Sequence, residues 1–305
     1  MTADSGEQAH SGRAAWAERL RSWGETAPGE LWLRVITAGV GVPVIVAVIL
    51  VGDELLAAAL SLAFAVAYLE FSHSMGLALS RPTVWIGAGG VVSMIAVALV
   101  ADVPTTWPLT AAVLALLAVP VIEELVRSHR PDRGEPPPFA TMYRQGGLAI
   151  GGLIYVGWLG SFFMLLSEFP AGDEWLLLAI FAVMATDTGA FAVGRMAGRH
   201  RLAPRISPNK TVEGALGGWV VGFTAVVLLR YLPNIEVEYW KMVLLALALP
   251  PAAQIGDLAA SVMKRAVDVK DFSRLIPGHG GVLDRLDSML VGVPVVYFFV
   301  RWVVL

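Results

Sequence analysis

Nine stretches of largely apolar sequence take up more than half of this chain. They run over 31–51, 54–72, 83–101, 107–122, 146–167, 174–196, 213–232, 241–262 and 286–304, the fourth being the shortest and containing Pro120. A helix needs roughly 20 apolar residues to cross a bilayer, and in lipid only helices and closed barrels satisfy their own backbone polar groups. The expected fold class is therefore all-α, a polytopic integral membrane helical bundle of about nine transmembrane helices. Composition agrees, since only 15% of the 305 residues are charged, against about 25% in soluble domains. The absence of cysteine excludes disulfides, thiolate metal sites and cysteine nucleophiles.

Basic residues set the orientation. With the N-terminus placed in the cytoplasm and nine crossings, 19 of the 22 Lys and Arg fall inside, and only Arg230, Lys241 and Arg301 fall outside. That is the asymmetry expected of cytoplasmic loops. Residues 1–30 read as a cytoplasmic polar tail without a cleavable signal peptide. Within it, Trp16, Leu20 and Trp23 fit either a short interfacial helix or a disordered tail. The organisation expected is an N-terminal transmembrane bundle over 31–122, a Pro-rich cytoplasmic linker over 123–145 and a C-terminal catalytic transmembrane domain over 146–305.

Chemistry concentrates between Gly256 and Ser288. Asp257 closes one span, and Ser261, Lys264 and Arg265 follow it at helical spacing along one face. Asp284 and Asp287 share a face at the start of the last span. Three carboxylates converging beside cations suit a hard-metal site next to an anion site, because Mg²⁺ takes one or two carboxylates together with substrate phosphates. Between them, Pro277-Gly278-His279-Gly280-Gly281 supplies a turn whose backbone can approach phosphate oxygens closely. Asp187 sits inside the sixth span, and an ionisable group at that depth is a functional candidate. Ser207 and Pro208 read as an N-cap and first residue of a helix. Lys210 and Thr211 superficially resemble a phosphate loop that lacks its glycines. Arg195, Arg199, Arg201 and Arg205 are read chiefly as positive-inside residues.

The run Ser261-Val-Met-Lys264-Arg265, then Lys270-Asp271, Pro277-Gly278-His279-Gly280-Gly281 and Asp284-Arg285-Leu-Asp287, resembles the signature of phosphatidate cytidylyltransferases. Ser207-Pro-Asn-Lys210-Thr211-Val-Glu-Gly214, Ala185-Thr-Asp187-Thr-Gly189 and Arg34-Val-Ile-Thr37-Ala38 are similar to further motifs of that family. The likeness extends from about residue 31 to the C-terminus.

This resemblance implies a CTP:phosphatidate cytidylyltransferase of the cell membrane that makes CDP-diacylglycerol and pyrophosphate at the cytoplasmic face. It implies Mg²⁺, optionally beside a monovalent cation, and a homodimer among membrane lipids, with no nucleic-acid partner. Asp257, Asp284 and Asp287 would hold metal. Lys264, Arg265, His279 and Asp187 would form the catalytic set. Substrate would meet Ser207, Lys210, Thr211, Ser261, Lys270, Gly278, Gly280, Gly281 and Arg285. The alternatives are a CTP-dependent lipid kinase of the dolichol-kinase type and an anion transporter.

Overall fold

A computed structural model describes residues 28–78, 81–100, 106–128, 139–276 and 280–305. The candidate interfacial helix around Trp16 to Trp23, the prolines of the linker (Pro131 and Pro136 to Pro138), Gly278 and His279 lie outside the described residues.

The described chain is helical almost throughout. Helices α1 (Pro28–Val51), α2 (Asp53–Ser74), α3 (Pro82–Ala98) and α4 (Thr106–Ser128) form the N-terminal part. α5 (Phe139–Gly152) continues through a π-helical turn, Leu153–Trp158, into α6 (Leu159–Ser167). Then come α7 (Gly172–Ala197), α8 (Val212–Leu229), α9 (Tyr239–Ala266), the short α10 (Leu283–Leu286) and α11 (Met289–Phe299). Among the described residues five helices are long and apolar enough to cross a membrane: Asp53–Ser74, Thr141–Ser167, Gly172–Ala197, Val212–Leu229 and Tyr239–Ala266. Shorter apolar helices cover Gly41–Val51, Pro82–Ala98, Thr106–Val119 and Met289–Val304. The connection expected at 123–145 is narrower, since α4 persists to Ser128 and α5 starts at Phe139.

One apolar core runs through both halves of the chain, from Ile49 to Val300. Between apolar helices in lipid the drive to associate is close packing rather than the hydrophobic effect, and aromatic side chains do much of that packing here. Phe64 of α2 meets Phe163 of α6 edge to face at 5.2 Å, a geometry worth about 0.5–1.5 kcal/mol beyond area burial. Tyr68 of α2 donates to the Ala149 carbonyl of α5 at 3.3 Å. On the other side α7 and α8 run almost backbone to backbone. A Cβ at Gly214 would lie 2.9 Å from the Gly194 Cα, so neither position has room for a side chain.

Helix α9 carries two internal prolines, Pro250 and Pro251. Proline removes the N–H that would bond the carbonyl four residues earlier. The Leu247 carbonyl, orphaned by Pro251, instead accepts from Trp219 Nε1 of α8 at 3.3 Å. A backbone carbonyl freed in one helix is thus satisfied by its neighbour.

The all-α expectation fails at one place. β1 (Arg201–Ala203) pairs antiparallel with β2 (Ser207–Thr211) in a small hairpin between α7 and α8. Ser207 is therefore not the helix cap expected of it. A residue before proline is pushed toward extended backbone, and Pro208 is tolerated in a two-stranded edge. The cap is Thr211, extended at φ −121°, whose Oγ1 accepts from the Gly214 N–H at 3.1 Å. Glu213 secures the base by accepting from the Arg199 and His200 amides at 3.0 and 3.1 Å.

Candidate active site

The polar ends of α7, α9 and α10 and the hairpin surround a cavity of about 800 Å³, within the range of ligand pockets. α7 contributes Asp187 and Arg195, and the segment beyond it contributes Arg199. The hairpin adds Arg201, Asn209, Lys210 and Thr211, while α9 adds Gln254, Asp257 and Lys264. Asp271, Asp284, Arg285, Asp287 and Ser288 close the far wall. Oppositely charged groups are interleaved around this wall rather than segregated, and three of its carboxylates, Asp257, Asp284 and Asp287, lie within 4 Å of a lysine.

Lys210 Nζ lies 2.5 Å from Asp257 Oδ2, with both side chains roughly a third exposed. Lys264 Nζ lies 2.9 Å from Asp284 Oδ1 and 3.6 Å from Asp287 Oδ2, and this group is nearly sealed from solvent. Asp284 does more than pair. Its Oδ2 accepts from the Phe272 and Gly281 amides at 2.9 and 3.0 Å, tying together the two flanks of the Gly-rich turn. Gly280, at φ +81°, makes that turn in a region that side chains disfavour. Lys264 also sits over the Phe272 ring at 5.3 Å. Deeper in, Ser288 Oγ donates to Asp187 Oδ2 at 2.9 Å, and the Ser288 amide donates to Asp287 Oδ1 at 2.8 Å. Asp187 is thereby joined to the start of the last span.

Of the residues singled out in sequence, Asp187, Lys210, Thr211, Asp257, Lys264, Asp284, Arg285 and Asp287 line the one cavity. Arg265 does not. It is exposed and donates to the Ile206 and Val269 carbonyls at 3.2 and 2.9 Å, bracing the hairpin turn. Ser207, Ser261, Lys270, Gly280 and Gly281 also lie outside the wall, Ser261 being buried along α9 and Lys270 exposed. Conversely, Arg195, Arg199 and Arg201, read in sequence as topology residues, face the cavity, as do Asp271, Gln254 and Ser288.

Asp257, Asp284 and Asp287 present carboxylate oxygens to one space, the ligand type Mg²⁺ prefers. Among the described residues no three His, Cys, Asp or Glu side chains are gathered closely enough to hold a metal by themselves. Lys264 fills the gap between Asp284 and Asp287, acting there as the counter-charge.

Residues 32–303 match the model of the cytidylyltransferase family. The phosphatidate cytidylyltransferase of Bacillus subtilis (strain 168) is 38% identical over 146 residues, covering 48% of this chain and 54% of that protein. The protein of that name from Staphylococcus saprophyticus is 39% identical over 143 residues, 47% and 55% of the two chains. That from Staphylococcus aureus (strain COL) is 40% identical over the same length, with the same shares. The chain spans about half the length of the curated relatives it matches. The family match covers most of the sequence and both walls of the cavity, and on that ground the chain belongs to the cytidylyltransferase family.

Proposed function

We propose that this protein is a CTP:phosphatidate cytidylyltransferase, converting CTP and phosphatidate into CDP-diacylglycerol and pyrophosphate. The observation that carries this reading is the cavity itself. It is rich in both cations and carboxylates, and it sits where helices long enough to cross a membrane end in polar sequence. Relatives named for this activity, at 38–40% identity, support it.

The chemistry follows from charge. A phosphatidate oxygen, already anionic near neutral pH, attacks the α-phosphorus of CTP. A new P–O bond forms, the bond to the bridging oxygen of the β-phosphate breaks, and pyrophosphate leaves with the electron pair. No strong base is needed, so the protein's task is to bring polyanions together and stabilise the leaving group. Lys210, Lys264 and Arg285 line the cavity and would hold phosphates, together with Arg195, Arg199 and Arg201 on the hairpin side. Mg²⁺ held by Asp257, Asp284 and Asp287 would offset triphosphate charge. As phosphates arrive, Lys210 exchanges its carboxylate partner for phosphate oxygens, while Lys264 stays in its closed pair and adds its charge to the phosphate space. Asp187 and Ser288 keep the deep wall polar.

The five long and four shorter apolar helices are compatible with nine crossings, and the 19-to-3 distribution of basic residues favours a cytoplasmic N-terminus. In this reading the site faces the cytoplasm from the cell membrane and the enzyme works as a homodimer. Reporter fusions after Arg133 and Arg205 should read cytoplasm, and one after Gly172 should read outside. A cytoplasmic signal at Gly172 would overturn that topology. For the activity, purified protein with CTP, Mg²⁺ and phosphatidate should release pyrophosphate only when phosphatidate is present. Release without lipid, or none at all, would sink the proposal.

A further inference from the structure

The strongest unexplained group in the molecule is Glu70. It lies on α2, far in sequence from the cavity residues, and is only 7% exposed within the apolar core. Burying a carboxylate without local partners is costly, and among the described residues no Lys or Arg pairs with it. Three hydrogen-bond donors carry its charge instead. Oε1 accepts from Ser273 Oγ at 2.6 Å and from the Val282 amide at 3.0 Å. Oε2 accepts from the Leu283 amide at 2.8 Å.

Those donors belong to both flanks of the Gly-rich turn. Ser273 precedes it, while Val282 and Leu283 follow it and lead directly into Asp284 and Arg285. The fit is close, since a Cβ at Gly281 would lie 2.6 Å from Glu70 Oε2 and 2.8 Å from Ser273 Oγ. The same helix grips the first flank again. Ser74 Oγ donates to the Phe272 carbonyl at 2.5 Å, and the Phe71 ring lies 6.3 Å from that of Phe272. The Phe272 amide is in turn one of the two that Asp284 accepts from.

We propose that Glu70 is a positioning residue for group transfer. From the N-terminal half it clamps the two flanks of the Gly-rich turn and so fixes Asp284 and Arg285 against the cavity. The effect on turnover rests on the cytidylyltransferase reading above, whereas the clamp itself does not.

The test combines hydrogen exchange at the Val282 and Leu283 amides with steady-state kinetics, on full-length protein in detergent. In Glu70→Gln one accepting oxygen becomes an amide donor facing other donors. We expect faster exchange at both amides and a fall in kcat of about 10²-fold, the scale of loss for a misplacement of about 1 Å in a reacting constellation. KM for CTP should stay within about threefold, because Lys210 and the hairpin arginines keep their places. Wild-type exchange with wild-type kcat would overturn the proposal, and so would a raised KM with kcat unchanged. Should Glu70→Gln fail to accumulate, Ser273→Ala removes a single donor and should lower kcat by about tenfold with faster exchange at Val282. No change there would equally overturn it. If wild-type protein makes no CDP-lipid, the activity reading falls. The exchange result then decides the clamp by itself, faster exchange supporting it and unchanged exchange ending it.

Discussion

Two lysine–carboxylate pairs face the same cavity, and they are built differently. Lys210 and Asp257 meet at 2.5 Å where both remain about 30% exposed. Lys264 and Asp284 meet at 2.9 Å with 11% and 3% exposure, and Asp284 is further held by two backbone amides. An exposed pair contributes about 0–1 kcal/mol to stability. Removing one partner of a buried pair costs about 3–5 kcal/mol, because the other charge is left stranded. The open pair is therefore free to trade its partner for a ligand at little structural cost. The closed pair is part of the scaffold that shapes the turn, so it couples activity to folding.

The largest effect should come from breaking the closed pair. Asp284→Asn should reduce CDP-lipid formation by about 10²-fold or more. It should also lower stability by about 2–3 kcal/mol, somewhat under the usual cost because Asp287 remains 3.6 Å from Lys264. A thermal unfolding series in detergent, run beside the activity assay, reads both. Loss of activity with no change in stability would erase the distinction drawn between the pairs.

Asp257→Asn should separate the two readouts. Activity should fall by about 10²-fold while stability changes by no more than about 1 kcal/mol. Because Asp257 and Asp284 serve one site, the double variant should be scarcely less active than the worse single one. Additive losses across a Mg²⁺ titration would show that the two carboxylates act separately.

The smallest effect is expected at Arg265. It bonds the Ile206 and Val269 carbonyls rather than facing the cavity. Arg265→Gln should cost no more than about tenfold in turnover, against about 10²-fold for Lys264→Gln, since only the latter removes a cation from the phosphate space. Equal losses would return Arg265 to the site.

Much of this arrangement was legible in the sequence because the physics behind it is local. Apolar run length picked out the apolar helices, of which five among the described residues are long enough to cross a membrane. The polar run from Gly256 to Ser288 announced a site because ionisable groups at span ends need partners. Asp187 was found by the rule that a charge inside an apolar span is expensive. Glu70 obeys that same rule, as a carboxylate within the apolar stretch 54–72, and the rule applied there would have exposed it. What hid it was the thin polar content of its surroundings, since its three donors lie some 200 positions away. The hairpin was missed for a related reason. Ser207-Pro208 fits a helix start by local preference, but the segment's backbone is claimed by Arg201–Ala203 through pairing that no local pattern reveals. Charge bias reads Arg195, Arg199 and Arg201 as topology residues because it cannot say which basic residues face a cavity.

The most direct test of the account is the fate of label from CTP carrying a radioactive α- or γ-phosphorus, incubated with the purified protein, Mg²⁺ and phosphatidate. The α-label should appear in the organic phase as CDP-lipid, and the γ-label should appear in aqueous pyrophosphate. Label from the γ-phosphorus in the lipid would instead mark a kinase. The absence of any labelled lipid would contradict the reading of this cavity as the place where CTP and phosphatidate are joined.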